Sequence, residues 1–196
     1  AVALFLGLCL VSFLMVVLFT NRLTLYLSFG GALLAFIYPF MKRYTYFPQL
    51  FLGAAFSWAI PMAWAAEADG VSQITWLLFT ANVLWTVAYD TFYAMVDRDD
   101  DLKVGIKSTA ILFGEADRVI IAILQTMVVL ILMIVGSHAE LGSLYYLGLV
   151  GMACLFIYQQ FLARERSRDG CFKAFLNNNW AGFSVFTGLV LDLMIA

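Results

Sequence analysis

Tyr89-Asp90-Thr91-Phe92-Tyr93-Ala94-Met95-Val96-Asp97-Arg98-Asp99-Asp100-Asp101 closes an apolar run and holds five aspartates. The whole chain of 196 residues carries only 13 acidic side chains, so more than a third of them sit in this one stretch. Carboxylates at the edge of a bilayer are costly unless something pairs with them, so the cluster points to a site rather than to packing.

The surrounding composition sets the fold class. The chain is 64% hydrophobic and 12% charged, with a mean hydropathy of +0.93. A water-soluble domain of this length carries about twice that charged fraction. The expectation is an all-α, polytopic transmembrane helix bundle forming one domain. Apolar stretches long enough to cross a bilayer run over 1–19, 23–41, 47–66, 73–95, 116–136, 141–162 and 175–195, which is seven spans. Of the 11 basic residues, only Arg22 falls on one side of this arrangement. Lys42, Arg43, Arg98, Lys103, Lys107, Arg118, Arg164, Arg166, Arg168 and Lys173 fall on the other, which the positive-inside rule makes cytoplasmic. The N-terminus is then cytoplasmic and the C-terminus external. A net charge of −2 gives no case for nucleic-acid binding. Cys9, Cys154 and Cys171 form no CxxC, and the two within apolar runs read as small buried hydrophobes rather than metal ligands. Pro39 and Pro61 are expected to kink their helices, and Pro48 to open one. The chain begins directly in an apolar run, Ala1-Val-Ala-Leu-Phe-Leu, without Met, and reads as an internal start.

At about 100° per residue, Asp90, Asp97 and Asp101 fall within roughly 40° of one another on a helix. Asp97 and Asp101, at i and i+4, converge on one side, and Tyr93 is near the same edge. Paired hard oxygen ligands suit Mg²⁺, which binds one or two carboxylates and fills its shell with water and substrate phosphate. Asp99 and Asp100 point elsewhere. Tyr38 and Lys42 share a face at the end of the second span, followed by Arg43, and Arg98, Lys103 and Lys107 flank the aspartates. Cations beside a carboxylate-held metal are what a diphosphate requires. A solvated acidic loop, with Lys42 and Arg43 as topology anchors, is the plainer alternative. A cation-conducting subunit is another, although the remaining spans offer no continuous polar path. Aromatic residues make up 16% of the chain. Most are packing, but an aromatic cavity also stabilises an allylic cation. His138 stands alone, and Asn177-Asn178-Asn179-Trp180 reads as capping and interfacial anchoring at the start of the last span.

The stretch Tyr89-Asp90 through Asp101, followed by Gly105-Ile106-Lys107-Ser108-Thr109, resembles the second aspartate-rich motif of the UbiA-type intramembrane prenyltransferases, and within them the bacterial 4-hydroxybenzoate polyprenyltransferases. Tyr38-x-x-x-Lys42-Arg43 is similar to that family's Tyr-x-x-x-Lys element, and Cys171-Phe-Lys-Ala-Phe-x-Asn-Asn-Asn also looks like that subfamily. The resemblance implies a nine-helix bundle in the bacterial inner membrane. It implies Mg²⁺-dependent transfer of a polyprenyl group from polyprenyl diphosphate to 4-hydroxybenzoate, in ubiquinone biosynthesis. Asp97 and Asp101 would ligate the metal, and Asp90 would act with them as a catalytic acid. Tyr38, Lys42, Arg43, Tyr93, Arg98, Lys103 and Lys107 would face the diphosphate or the aromatic substrate. The family's first motif, Asn-Asp-x-x-Asp-x-x-x-Asp, has no match in these residues. The expectation is therefore an N-terminally incomplete prenyltransferase domain over 1–196, seven spans of nine, with little or no activity by itself. Phosphatidyl-group transferases fit less well, because Asp169-Gly170 is not followed by their pattern. Relatives acting on haem, naphthoate or chlorophyllide remain a second alternative.

Overall fold

The computed structural model describes residues 2–195 as a bundle of helices in which seven rods have membrane-spanning length. The helices are α1 (Val2–Phe19), α2 (Arg22–Tyr44), α3 (Pro48–Ser57), α4 (Ala59–Ala68), α5 (Gln73–Val104), α6 (Thr109–Phe113), α7 (Asp117–His138), α8 (Ser143–Leu162) and α9 (Arg168–Ile195). A 3₁₀ turn, Gly114–Ala116, joins α6 to α7. Five segments are long and apolar enough to cross a membrane: α1, α2, α3–α4, α6–α7 and α8. The two remaining rods, α5 and α9, are the ones that carry Asp90 and the three asparagines. They fall short of that apolarity because they carry the polar groups of the interior.

The span expected at 47–66 is broken at Trp58. Pro61 lacks the N–H that would bond the Ser57 carbonyl, so the ladder cannot run through. The freed indole lies on Gly30 and Gly31 of α2 and donates to the Leu27 carbonyl at 2.8 Å. Pro39 sits inside α2 without ending it, and Pro48 occupies the first turn of α3.

α5 is the central helix, packed on α3, α4, α6, α7 and α9. Ala88, Phe92, Ala94 and Met95 of α5 form a core with Ala110, Ile121, Cys171 and Ala174. Small residues let the backbones approach closely, which is how helices associate where lipid gives no hydrophobic drive. α8 and α9 show this most strongly: a Cβ on Gly188 would stand 2.7 Å from the Leu144 carbonyl oxygen. Every described side chain of α1 is unburied, as expected of a lipid-facing helix.

Two expectations are corrected. α9 begins at Arg168, so Asn177–Asn179 lie within it and cap nothing. Asn178 is buried and accepts the Trp85 indole N–H at 2.8 Å, while Asn177 accepts from the buried Gln159 at 3.1 Å. Gln159 accepts in turn from Gln125 at 2.7 Å. These amides join α5, α7, α8 and α9 inside the bundle, at about 0.5–2 kcal/mol each. Cys9 and Cys154 face outward and Cys171 is the buried thiol, the reverse of the apolar-run reading. In a bilayer an apolar run presents part of itself to lipid, so apolarity alone does not mark the interior.

Candidate active site

One edge of α5, opposite Phe92, carries Asp90, Tyr93, Asp97 and Asp101. The last turns of α2 bring up Tyr38 and Lys42, and the first turn of α3 brings Pro48, Gln49 and Leu52. These residues and Ala94 line one cavity of about 160 Å³. Asp90, Asp97 and Asp101 are each half-buried. Lys42 is the cation that both Asp90 and Asp101 face, yet no ion pair ties it to a carboxylate among the described residues. Asp101 stands beyond the apolar part of α5. Burial pushes its carboxyl above the ordinary value, with Lys42 opposing and Asp97 and Asp100 adding to the rise.

The helix reaches Asp101 because it ends only at Gly105, whose φ of 73° suits glycine. The N–H groups of Gly105 and Ile106 both bond the Asp101 carbonyl. The loop that follows is a clasp. Lys107 N–H donates to the Lys42 carbonyl at 3.1 Å, fixing the end of α2. Thr109 N–H donates to Gln49 Oε1 at 3.2 Å, fixing the start of α3. The Thr91 and Thr109 hydroxyls meet at 2.7 Å, fixing both to α5.

Of the residues singled out in the sequence, Tyr38, Lys42, Asp90, Tyr93, Asp97 and Asp101 share this cavity, and four do not enter it. Arg98 turns to Asp117 at 3.6 Å. Lys103 pairs with Asp100 at 3.1 Å, and Arg168 reaches the same carboxylate at 3.0 Å. Those two partners, Lys103 first, hold the exposed Asp100 carboxyl below its ordinary range. Arg43 is exposed. The Lys107 amine lies over the Tyr46 ring and donates to the Tyr44 carbonyl. Asp99 faces Arg168 at 3.8 Å, away from the cavity.

Two residues escaped the sequence reading. Gln49 is 3% exposed and lines the cavity. Its position directly after Pro48, at a helix start, was the available signal. Asp117 is fully buried and receives the Arg166 Nε–H at 3.0 Å. An acid in the Glu115–Asp117 turn before an apolar helix gives no such signal.

Among the described residues no three His, Cys, Asp or Glu side chains gather closely enough to enclose a metal. Asp97 and Asp101, one turn apart with Tyr38 lining the same cavity, form a hard, partial ligand set. That set fits Mg²⁺, which leaves part of its shell to water and phosphate.

Between α5 and α9, with Phe56 of α3 at its edge, lies a groove of about 560 Å³. Phe56, Trp85, Tyr89, Phe175, Phe183 and Phe186 supply most of its aromatic lining. Tyr93, at the mouth of the acidic cavity, packs on Phe175 with ring centroids 5.2 Å apart. The Tyr89 ring meets Phe175 at 6.0 Å. The acidic cavity and the aromatic groove are neighbours that share no lining residue, and the contacting rings of Tyr93, Phe175 and Tyr89 stand between them. A model of the UbiA prenyltransferase family matches residues 1–183.

The chain belongs to the UbiA prenyltransferase family.

Relatives within this family are close. A 4-hydroxybenzoate octaprenyltransferase of Marinobacter nauticus is 85% identical over 193 residues, which are 98% of this chain and 66% of the relative. One of Hahella chejuensis is 62% identical over 184 residues, 94% of this chain and 61% of the relative. The chain therefore spans about two thirds of the length of these relatives. Among solved structures, the apo form of a UbiA homolog from Aeropyrum pernix K1 superposes with a TM-score of 0.78 at 24% identity. That match covers 92% of this chain and 68% of that one. It supports the UbiA-like membrane fold.

Proposed function

We propose that this chain supplies the carboxylate pocket and prenyl groove of an enzyme that transfers a polyprenyl group to the ring of 4-hydroxybenzoate. The observation that carries the reading is the nearness of two unlike cavities. A small acidic pocket stands beside a large aromatic groove, with the Tyr93, Phe175 and Tyr89 rings between them, which suits a charged head and a long apolar tail. The names of the close relatives supply the acceptor. By the positive-inside rule the pocket opens to the cytoplasm, in a bacterial inner membrane.

In this reading Asp97 and Asp101 would hold Mg²⁺, with Lys42 toward the diphosphate, and the metal would supply positive charge for the leaving group. Tyr93, Tyr89 and Phe175 stand between the two cavities, where the allylic carbon would sit and their faces would stabilise positive charge. Lipid against the exposed Phe56, Phe183 and Phe186 would keep water from that carbon. The bond between carbon and diphosphate oxygen breaks, the ring carbon beside the acceptor hydroxyl bonds to the freed carbon, and the ring loses a proton. Asp90, the acid deepest in the span, would take that proton.

The test is a chimera in which the matched 193 residues of the Marinobacter nauticus relative are exchanged for this chain. Membranes carrying it are given labelled polyprenyl diphosphate and 4-hydroxybenzoate. Prenylated 4-hydroxybenzoate, dependent on Mg²⁺, supports the reading. A chimera that is inserted at normal levels yet makes no such product refutes it.

A further inference from the structure

The geometry points to a second anion site: Arg98, Arg166 and Arg168 form a pocket for a phosphate group at the basic end of the bundle. The site is separate from the acidic cavity and does not depend on the prenyl-transfer reading. The three side chains, with Met95 and Asp99, line a cavity of about 240 Å³. None of these residues lines the acidic cavity or the aromatic groove. They come from three places in the chain: the last turns of α5, the turn after α8 and the first residue of α9. Guanidinium forks that converge from separate elements match the oxygens of a phosphate group, because each fork offers paired N–H donors.

The acids around this cavity do not match its cations. Asp117 receives the Arg166 Nε–H at 3.0 Å and meets Arg166 Nη2 at 2.9 Å. Arg98 reaches the same carboxylate at 3.6 Å, beyond hydrogen-bond distance. Asp100 is shared between Lys103 at 3.1 Å and Arg168 at 3.0 Å, and Asp99 stands 3.8 Å from Arg168. Arg98, Arg166, Arg168 and Lys103 thus face Asp99, Asp100 and Asp117, four cations against three carboxylates. Arg98, with its side chain 30% exposed, is the cation left without a close acid. A guanidinium has five N–H donors, and a phosphate group in the cavity gives those of Arg98 an acceptor. Arg168 opens the long helix α9, whose positive dipole end adds to the attraction. Such a group bridges Arg98 and Arg168 and leaves the Arg166–Asp117 pair in place. The chemistry selects a phosphate group, carried by an anionic phospholipid or free in solution.

The experiment follows phenylglyoxal modification of individual arginines, mapped by peptide mass spectrometry. It uses the delipidated 196-residue chain in dodecyl maltoside micelles, in phosphate-free buffer without divalent cations. One arm adds inorganic phosphate against chloride of equal ionic strength. The other adds phosphatidylglycerol against phosphatidylcholine. Modification of Arg98 and Arg168 should slow in at least one arm, while Arg164, exposed and paired with Glu165 outside the cavity, keeps its rate. Protection by inorganic phosphate identifies a free anion as the source. Protection by phosphatidylglycerol alone identifies a lipid headgroup. Arg98→Gln should raise the concentration that protects Arg168 about tenfold, the loss of one charge-assisted contact. Arg166 and the Arg118 N–H still hold Asp117 in that variant, and circular dichroism checks that it is folded. The wild-type pattern decides the matter even where the variant does not fold. Protection in neither arm, equal protection of Arg164, or a folded Arg98→Gln in which Arg168 is protected as in the wild type overturns the inference.

Discussion

Replacing Arg166 by alanine is expected to destabilise this protein more than replacing Asp117, although Arg166 is the more exposed partner. Asp117 is fully buried and its carboxylate meets the Arg166 guanidinium at 2.9 Å, the Arg118 N–H at 2.6 Å and, more loosely, Arg98 at 3.6 Å. The Arg166 side chain is 38% exposed and also donates to the Glu115 carbonyl at 2.6 Å. In Asp117→Ala the freed guanidinium turns to water and keeps Glu115, at a cost of about 2 kcal/mol. In Arg166→Ala a buried carboxylate keeps only an N–H and a distant cation, and breaking a buried pair this way costs about 3–5 kcal/mol. The expected loss is about 3–5 kcal/mol for Arg166→Ala against about 2 kcal/mol for Asp117→Ala. Unfolding in mixed micelles at pH 7, followed by tryptophan fluorescence, reads both. An Arg166→Ala loss smaller than the Asp117→Ala loss would refute the reasoning.

Asp97→Asn and Asp101→Asn, each placed in the chimera, should lower turnover by about 100-fold or more while leaving the unfolding midpoint near wild type; a residue whose loss costs only a fewfold does not hold the metal. Asp192 of α9 accepts the Gly142 N–H at 2.6 Å and the Leu144 N–H at 3.2 Å, capping α8 from a neighbouring helix. Asp192→Ala should cost about 1–2 kcal/mol and speed amide exchange at the start of α8; unchanged exchange there would show that the cap contributes nothing. Burial, with the Asp117 carboxylate adding to it, pushes the Cys171 thiol up to about 11. At pH 7.5 Cys171 should therefore resist maleimide until the protein is unfolded, and rapid labelling of the folded protein would contradict the packing around α9.

The seven rods were legible because apolar length is a one-dimensional signal, as was the shared face of Asp90, Asp97 and Asp101, a matter of helical spacing. Tyr38 and Lys42 were legible only through their i,i+4 spacing beside that acidic face. Arg98, Lys103 and Lys107 were misplaced for a physical reason. A cation near an aspartate in sequence takes whichever acceptor the fold presents, and for Arg98 that acceptor is Asp117, on another helix. Gln49 was missed because its bond to Thr109 exists only once the loop after α5 folds back on the start of α3. The asparagines of α9 misled because a polar run at the edge of an apolar one resembles a helix start. Their partners lie on other helices, Trp85 on α5 and Gln159 on α8.

The central claim is that the acidic face of α5 binds a divalent cation together with a diphosphate. Mn²⁺ titration of the 196-residue chain in nanodiscs, with and without inorganic diphosphate, tests it most directly. The account predicts Mn²⁺ binding that diphosphate strengthens and that Asp97→Asn combined with Asp101→Asn abolishes. Binding that persists in the double variant, or that ignores diphosphate, would contradict it.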